Sequence, residues 1–291
     1  MFIHLKKNKK FYFTILLLLL FLFIIVNKVN NKFLEKFDNL KIDPVKYESK
    51  NYKKFFLKYK SINESLNFEN IKIKNILPRV AHAGGGFKNK TYTNSIDALE
   101  ENKEDFLFFE IDFYLTEDNK VVCSHDHSHN LKSFKNFNSY IKTNKEFKEC
   151  TFITLRKWLY ENPNKIIITD FKNKNIEGLK FISENFLDFS DRFIPQIYHP
   201  KEYHRVKKLG FKNIIWTLYK YNKSNDSVLL YTDKMDLFAV TMNRSRAVSG
   251  LAKELNKKNI KSYVHTINSI EDYYRFLEIY KVDQIYTDWI R

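Results

Sequence analysis

Residues 166–172 read Ile166-Ile167-Ile168-Thr169-Asp170-Phe171-Lys172. A short β-branched run that ends in charge is the pattern of a buried strand whose last residues reach solvent. Side chains two apart share a face of a strand, so Asp170 and Lys172 point the same way. Eight further short apolar runs of this kind follow Pro78 or precede the end of the chain, at 79–82, 106–112, 121–125, 193–197, 213–217, 237–241, 261–266 and 282–287. Helix-patterned segments separate most of them, for example 95–102, 155–161, 201–209, 247–258 and 270–280. Such alternation predicts an α/β fold with a parallel sheet, and a (β/α)8 TIM barrel fits the count. Nine candidate strands compete for eight barrel positions, so one of them is accessory. No G-x-G-x-x-G follows the first strand, which argues against a dinucleotide-binding fold.

A (β/α)8 barrel builds its active site at the C-terminal ends of its strands. His82 ends the first strand and leads into Ala83, Gly84, Gly85 and Gly86, a row that holds three of the six glycines in the chain. A glycine row lets an oxyanion approach backbone N–H groups closely. Glu110 and Asp112 end the second strand on one face. Two carboxylates side by side in a closed interior resist ionisation unless a cation or a shared proton compensates. Oxygen-only ligands suit Mg²⁺ or Ca²⁺ better than zinc. The run at 121–125 delivers His125 and then Asp126, while His127 and His129 read as a polar loop beyond the strand rather than as ligands. Cys123 shares the parity of His125, which aims it into the barrel as a small core residue, a reading preferred to a disulfide with Cys150. Asp170 adds a third carboxylate for a metal, and Lys172 a cation for a phosphate.

Taken together, His82-x-Gly84, Asn94-Ser95 opening a helix, Glu110-Ile111-Asp112, His125-Asp126, Asp170-x-Lys172 and the terminal Thr266-Ile267-Asn268 with Thr287-Asp288 resemble the glycerophosphodiester phosphodiesterase family. The resemblance spans about residues 78–291. It implies a metal-dependent barrel that hydrolyses glycerophosphodiesters, with His82 and His125 as the acid–base pair and Glu110, Asp112 and Asp170 as ligands of Ca²⁺ or Mg²⁺. It also implies that Lys172, with Gly84 and Gly85, contacts the phosphate and that Asn94 supports the site. Four positions depart from the family pattern: Ala83 replaces an arginine, Thr93 a glutamate, Asp170 a longer glutamate and His265 an aromatic residue. Ala83 and Thr93 motivate an alternative, a weak or inactive barrel that binds a lipid or glycan phosphodiester.

The first 75 residues read differently. They hold 16 Lys, no Arg and six acids, a charge of +10 out of +16 for the whole chain. Basicity therefore does not describe the barrel, and with no basic stripe or recognisable motif there, nucleic acid is not an expected partner. Lys6, Lys7, Lys9 and Lys10 precede an apolar run over 11–26. As a helix this run covers about 24 Å of a ~30 Å hydrocarbon core, a deficit that flanking lysines can span by snorkelling. Residues 1–10 are expected to be a cytoplasmic tail, 11–26 an uncleaved transmembrane signal anchor, 27–75 a juxtamembrane stalk and 76–291 the catalytic barrel. The lysine-rich tail stays inside, which places the barrel outside the cytoplasm at a membrane surface. Substrates compatible with that placement are phospholipid-derived diesters and glycerol-phosphate polymers. The hydrophobic fraction of 44% excludes a disordered chain, and two cysteines exclude a Cys-based zinc module.

Overall fold

The structure, a computed structural model, describes residues 79–125, 133–143 and 146–291. The expected tail, anchor and stalk, together with Asp126, His127 and His129, lie outside the described residues. Among those described, no helix is long and apolar enough to cross a membrane.

Nine strands form one sheet. In chain order they are β1 (Arg79–Ala81), β2 (Phe108–Leu115), β3 (Val121–Cys123), β4 (Ile166–Phe171), β5 (Phe193–Ile197), β6 (Ile215–Thr217), β7 (Ala239–Asn243), β8 (Ser262–His265) and β9 (Gln284–Thr287). Every strand coincides with a run expected from the sequence. Eight of them are parallel, and β1 pairs with both β9 and β2, which closes the barrel.

The accessory strand is β3. It runs antiparallel to β2, with Phe113 opposite Cys123 and Leu115 opposite Val121. A parallel crossover needs a dozen or more residues, and only five separate β2 from β3, so the chain turns back as a hairpin. Thr116 and Lys120 close the turn, with the Thr116 N–H donating to the Lys120 carbonyl at 2.9 Å. Cys123 therefore does not point into the barrel. It sits outside, beneath helix Phe152–Glu161, and is disulfide-bonded to Cys150. The preference for a free core cysteine is corrected: the hairpin brings β3 alongside residues 150–151, and the Cys123 N–H donates to the Cys150 carbonyl at 3.0 Å.

Two cores result, one on each face of the strands. Outside, Phe109 meets Trp158 edge-on at 5.3 Å and Phe113 packs on Phe171 at 5.3 Å, under the helices. Gly178 of helix Asn175–Asn185 lies so close to the Phe171 ring that a Cβ there would stand 2.2 Å from it. On the face that carries Glu110, Phe108 meets Phe238, Phe238 meets Tyr263 and Tyr263 meets Tyr286, with ring centroids 6.3–6.4 Å apart. The expected helix at 247–258 is two helices, Arg244–Val248 and Leu251–Lys257. Gly250 between them is left-handed, with φ of +97°, and breaks the run.

The disulfide gives the first prediction. Replacing both cysteines (Cys123→Ser with Cys150→Ser) should lower the unfolding free energy by about 3 kcal/mol. Urea unfolding of the oxidised wild type, the reduced wild type and the variant reads this directly. Reduced wild type should coincide with the variant; coincidence of all three curves would show that the pair does not form.

Candidate active site and metal centre

Strand register builds the acidic cluster. In the β2–β4 pairing Asp112 lies opposite Asp170, and Glu110 lies one pleat below on the same face. One carboxylate oxygen from each of the three can be found within 4.8 Å of the others, and all three residues are buried. Asp170 reaches the cluster despite its shorter side chain because register sets it beside Asp112.

Each carboxylate has its own partners. Asn94 grips Asp112 twice: its Nδ2 donates to Oδ2 at 2.8 Å, and its Oδ1 accepts from the Asp112 N–H at 2.9 Å. Asn94 holds φ of +45°, a left-handed conformation that asparagine tolerates. Lys172 Nζ sits 2.5 Å from Asp112 Oδ1 and 2.8 Å from Asp170 Oδ2. Asp170 Oδ1 also accepts from the hydroxyls of Tyr198 and of Tyr219, the latter at 2.9 Å. Glu110 Oε2 accepts from the Ala83 N–H at 2.8 Å, while its Oε1 is buried without a partner.

These surroundings drive the carboxylates apart. Burial, and then the charges of Asp112 and Asp170, push the Glu110 carboxyl well above the usual range. Burial also acts on Asp170, but Lys172 and the two tyrosine hydroxyls outweigh it and hold that carboxyl low. Burial pulls the Lys172 ammonium down, and the carboxylates of Asp170, Asp112 and Glu110 more than restore it, so its pKa lies above the usual lysine range.

The donor set fits a hard divalent cation. When all three are ionised, three carboxylates against one ammonium leave two negative charges for a cation to offset, and Glu110 Oε1 is a buried acceptor that lacks a donor among the described residues. Thiol and imidazole are absent from the cluster, as oxygen-preferring ions require.

Beside the carboxylates stands His82, whose Nδ1 lies 2.8 Å from Asp288 Oδ1. Asn268 fixes Asp288 in turn, with Nδ2 donating to Oδ2 at 2.7 Å and Oδ1 accepting from the Asp288 N–H at 2.8 Å. An acid on one ring nitrogen holds the tautomer and offers the other nitrogen for proton exchange. Tyr92 lies between His82 and His125, with ring centroids at 4.7 Å and 4.4 Å. His125 is exposed, carried there by the hairpin strand rather than by the barrel wall. The fourth departure, His265, ends β8 near Tyr219 and Tyr286 at 6.3 and 6.4 Å. Its Nε2 is buried and unpartnered.

The glycine row is itself largely engaged. Gly85 N–H donates to the His82 carbonyl at 2.8 Å and Gly86 N–H to the Asp288 carbonyl at 2.7 Å. Gly85 has φ of +87°, and a Cβ there would stand 2.6 Å from Asn102, which fastens the turn through the Gly84 and Gly86 carbonyls. The turn thus shapes the site by hanging the Ala83 N–H over Glu110. Ala83 is fully buried, so this position presents no side-chain donor to an anion.

The structure gathers His82, Asn94, Glu110, Asp112, Asp170 and Lys172 in one mouth, with His125 at its edge; the expected phosphate contact at Gly84 and Gly85 is corrected, because both are buried against helix Ile96–Asn102, Gly84 beside Ala98 and Leu99 and Gly85 beside Asn102. Sequence reading gave no role to Asp288, Asn268, Tyr92, Tyr198 or Tyr219. Tyr198, Tyr219 and Asp288 each stand one or two residues past a strand end, and that placement was the available signal.

His265 supplies a pH prediction. Burial first, and then the nearby His82, lower its pKa to about 4, against about 6.5 when unfolded. Between those values the unfolded chain binds a proton that the folded one does not, so stability falls as pH drops through that window. Urea titrations at pH 7 and pH 5 should show wild type losing about 2 kcal/mol more than His265→Phe. Equal losses would place the imidazole in water.

No protein-family model matches the chain, and no curated protein matches it in sequence. Solved structures do match. A glycerophosphodiester phosphodiesterase from Thermotoga maritima is 19% identical with a TM-score of 0.56, over 74% of this chain and 96% of that one. One from Parabacteroides distasonis is 17% identical with a TM-score of 0.56, over 72% and 92%. A phosphodiesterase from Oleispira antarctica, solved with the product sn-glycerol-3-phosphate, is 12% identical with a TM-score of 0.56, over 74% and 94%. Identities this low speak for the fold alone, and the fold these structures share with this chain is the closed barrel of eight parallel strands.

Proposed function

We propose that the barrel is a metal-dependent phosphodiesterase that hydrolyses glycerophosphodiesters. The observation that carries this reading is the convergence of the three-carboxylate cluster, Lys172 and the Asp288-held His82 in one mouth. The product-bound structure from Oleispira antarctica supports the glycerol phosphate end of the substrate.

A phosphodiester is a stable anion, so hydrolysis needs charge neutralisation, a deprotonated nucleophile and a protonated leaving group. Glu110, Asp112 and Asp170 would hold Ca²⁺ or Mg²⁺, which when bound neutralises charge on the phosphoryl oxygens. Lys172 uses two of its three N–H donors on Asp112 and Asp170, which leaves one for a phosphate oxygen. Of the two imidazoles, His82 and His125, one accepts the proton of the attacking hydroxyl and the other donates a proton to the departing oxygen. Asp288 fixes the tautomer of His82 and the direction of its ring.

The same proposal places the enzyme at a membrane. Residues 11–26 anchor it, 27–75 form a stalk, and the barrel works outside the cytoplasm on phospholipid-derived diesters or glycerol-phosphate polymers. The lysines before the apolar run support that orientation, and a Cys123–Cys150 disulfide suits an oxidising compartment.

Chelation should abolish release of glycerol phosphate from a diester panel, and Ca²⁺ or Mg²⁺ should restore it. Glu110→Gln should weaken metal binding, read by calorimetry, with the fold intact by circular dichroism. Full turnover in excess chelator by protein free of metal would sink the metal centre and with it this mechanism.

The acid–base roles are tested separately. His82→Ala and His125→Ala should each lose about 10²–10⁴-fold in rate while melting near the wild-type temperature. Near-wild-type rates in both variants would favour the alternative in which the barrel only binds its diester.

A further inference from the structure

Two tyrosines wall one side of the mouth. Tyr198 follows β5 and Tyr219 follows β6 by two residues; their rings meet edge-on at 5.5 Å, and both hydroxyls donate to Asp170. Aromatic faces beside a phosphodiester site are what a quaternary ammonium head group needs. Here those faces are already taken. Lys220 Nζ lies 3.8 Å from the Tyr198 ring centroid and 5.2 Å from that of Tyr219, whose ring also has Lys172 Nζ at 5.9 Å.

Lys220 is otherwise uncommitted. Among the described residues it makes no ion pair, whereas Lys172 makes two. The charges of two acids reach Lys220, and both are engaged elsewhere: Asp170 accepts from Lys172, Tyr198 and Tyr219, and Glu202 accepts from the Tyr198 N–H and from Asn175. An ammonium fixed on an aromatic face, with no ion pair among the described residues, repels a second cation and attracts an anion.

We propose that Lys220, braced on Tyr198 and Tyr219, forms a subsite for a second phosphate on the alcohol half of the diester, and that a choline-type head group is disfavoured there. This rests on the phosphodiesterase reading and narrows its substrate class to diesters with an anionic neighbour of the scissile phosphate. Lys220 acts as a specificity determinant and takes no part in bond breaking.

The test compares three substrates that share the glycerophosphoryl half: glycerophosphoglycerol carrying a terminal phosphate, glycerophosphoglycerol and glycerophosphocholine. Full-length wild type should rank them in that order by kcat/KM. In Lys220→Met the ratio between the first and the last should fall about tenfold or more, the scale of one charge-assisted contact, mainly through KM. Lys220→Arg should keep most of the ratio. Equal changes on all three substrates, or a wild-type preference for the choline diester, would overturn the subsite. Calorimetry with glycerol 1,3-bisphosphate and with phosphocholine decides the matter without turnover. If wild type cleaves none of the diesters yet binds the bisphosphate selectively through Lys220, the phosphodiesterase reading falls and the subsite stands; if binding shows no preference, the subsite falls.

Discussion

Three carboxylates within 4.8 Å of one another, on adjacent strands and out of water, set the terms for everything around them. Like charges at that separation in a low-dielectric site cannot all persist without positive charge or donated protons. The chain answers with Lys172 between two of them, Asn94 on the third side of Asp112, two tyrosine hydroxyls on Asp170 and one backbone N–H on Glu110. The compensation is uneven. Asp170 is over-supplied and stays ionised, while Glu110 keeps an empty oxygen and a raised pKa. A cluster arranged in this way is stable enough to fold and still short of positive charge, which is the condition for taking up a divalent ion.

The glycine row and the positive-φ asparagine follow from that constraint. Ala83 must turn at φ of +50° to aim its N–H at Glu110, and the chain can make such a turn only where Gly84 and Gly85 follow. Ala83, where the resemblance leads one to expect an arginine, is fully buried and offers no side-chain donor. Cations stand instead beyond the ends of other strands, Lys172 after β4 and Lys220 after β6.

Local rules made much of this legible. The two-residue period of a strand places Glu110 with Asp112 and Asp170 with Lys172 without any knowledge of neighbours. Strand-end position marks His82 as exposed to the mouth. Registry and handedness of connection are not local. Whether the 121–125 run joins the barrel depends on a five-residue link that forces a hairpin, and the length of that link, rather than the apolar pattern, held the answer. The Cys123–Cys150 pair was misread for the same reason, since the parity argument presumed a barrel strand. Tyr198 and Tyr219 carry no motif of their own; they matter only because β5 and β6 follow β4 around the barrel and lean back onto Asp170.

Closure of the barrel then ties the proposed acid–base pair to the two ends of the described chain. His82 and Asp288 are 206 residues apart, and they meet at 2.8 Å because β1 pairs with β9. Neither residue gains its partner until the last strand docks, so the imidazole is oriented only in the completed fold. His125 reaches the same neighbourhood by a different route, on a hairpin and across the ring of Tyr92. One histidine is locked by barrel closure and the other is presented at the exposed rim. Under the proposed mechanism, that asymmetry gives the pair one ring of fixed direction and one ring free to adjust at the rim.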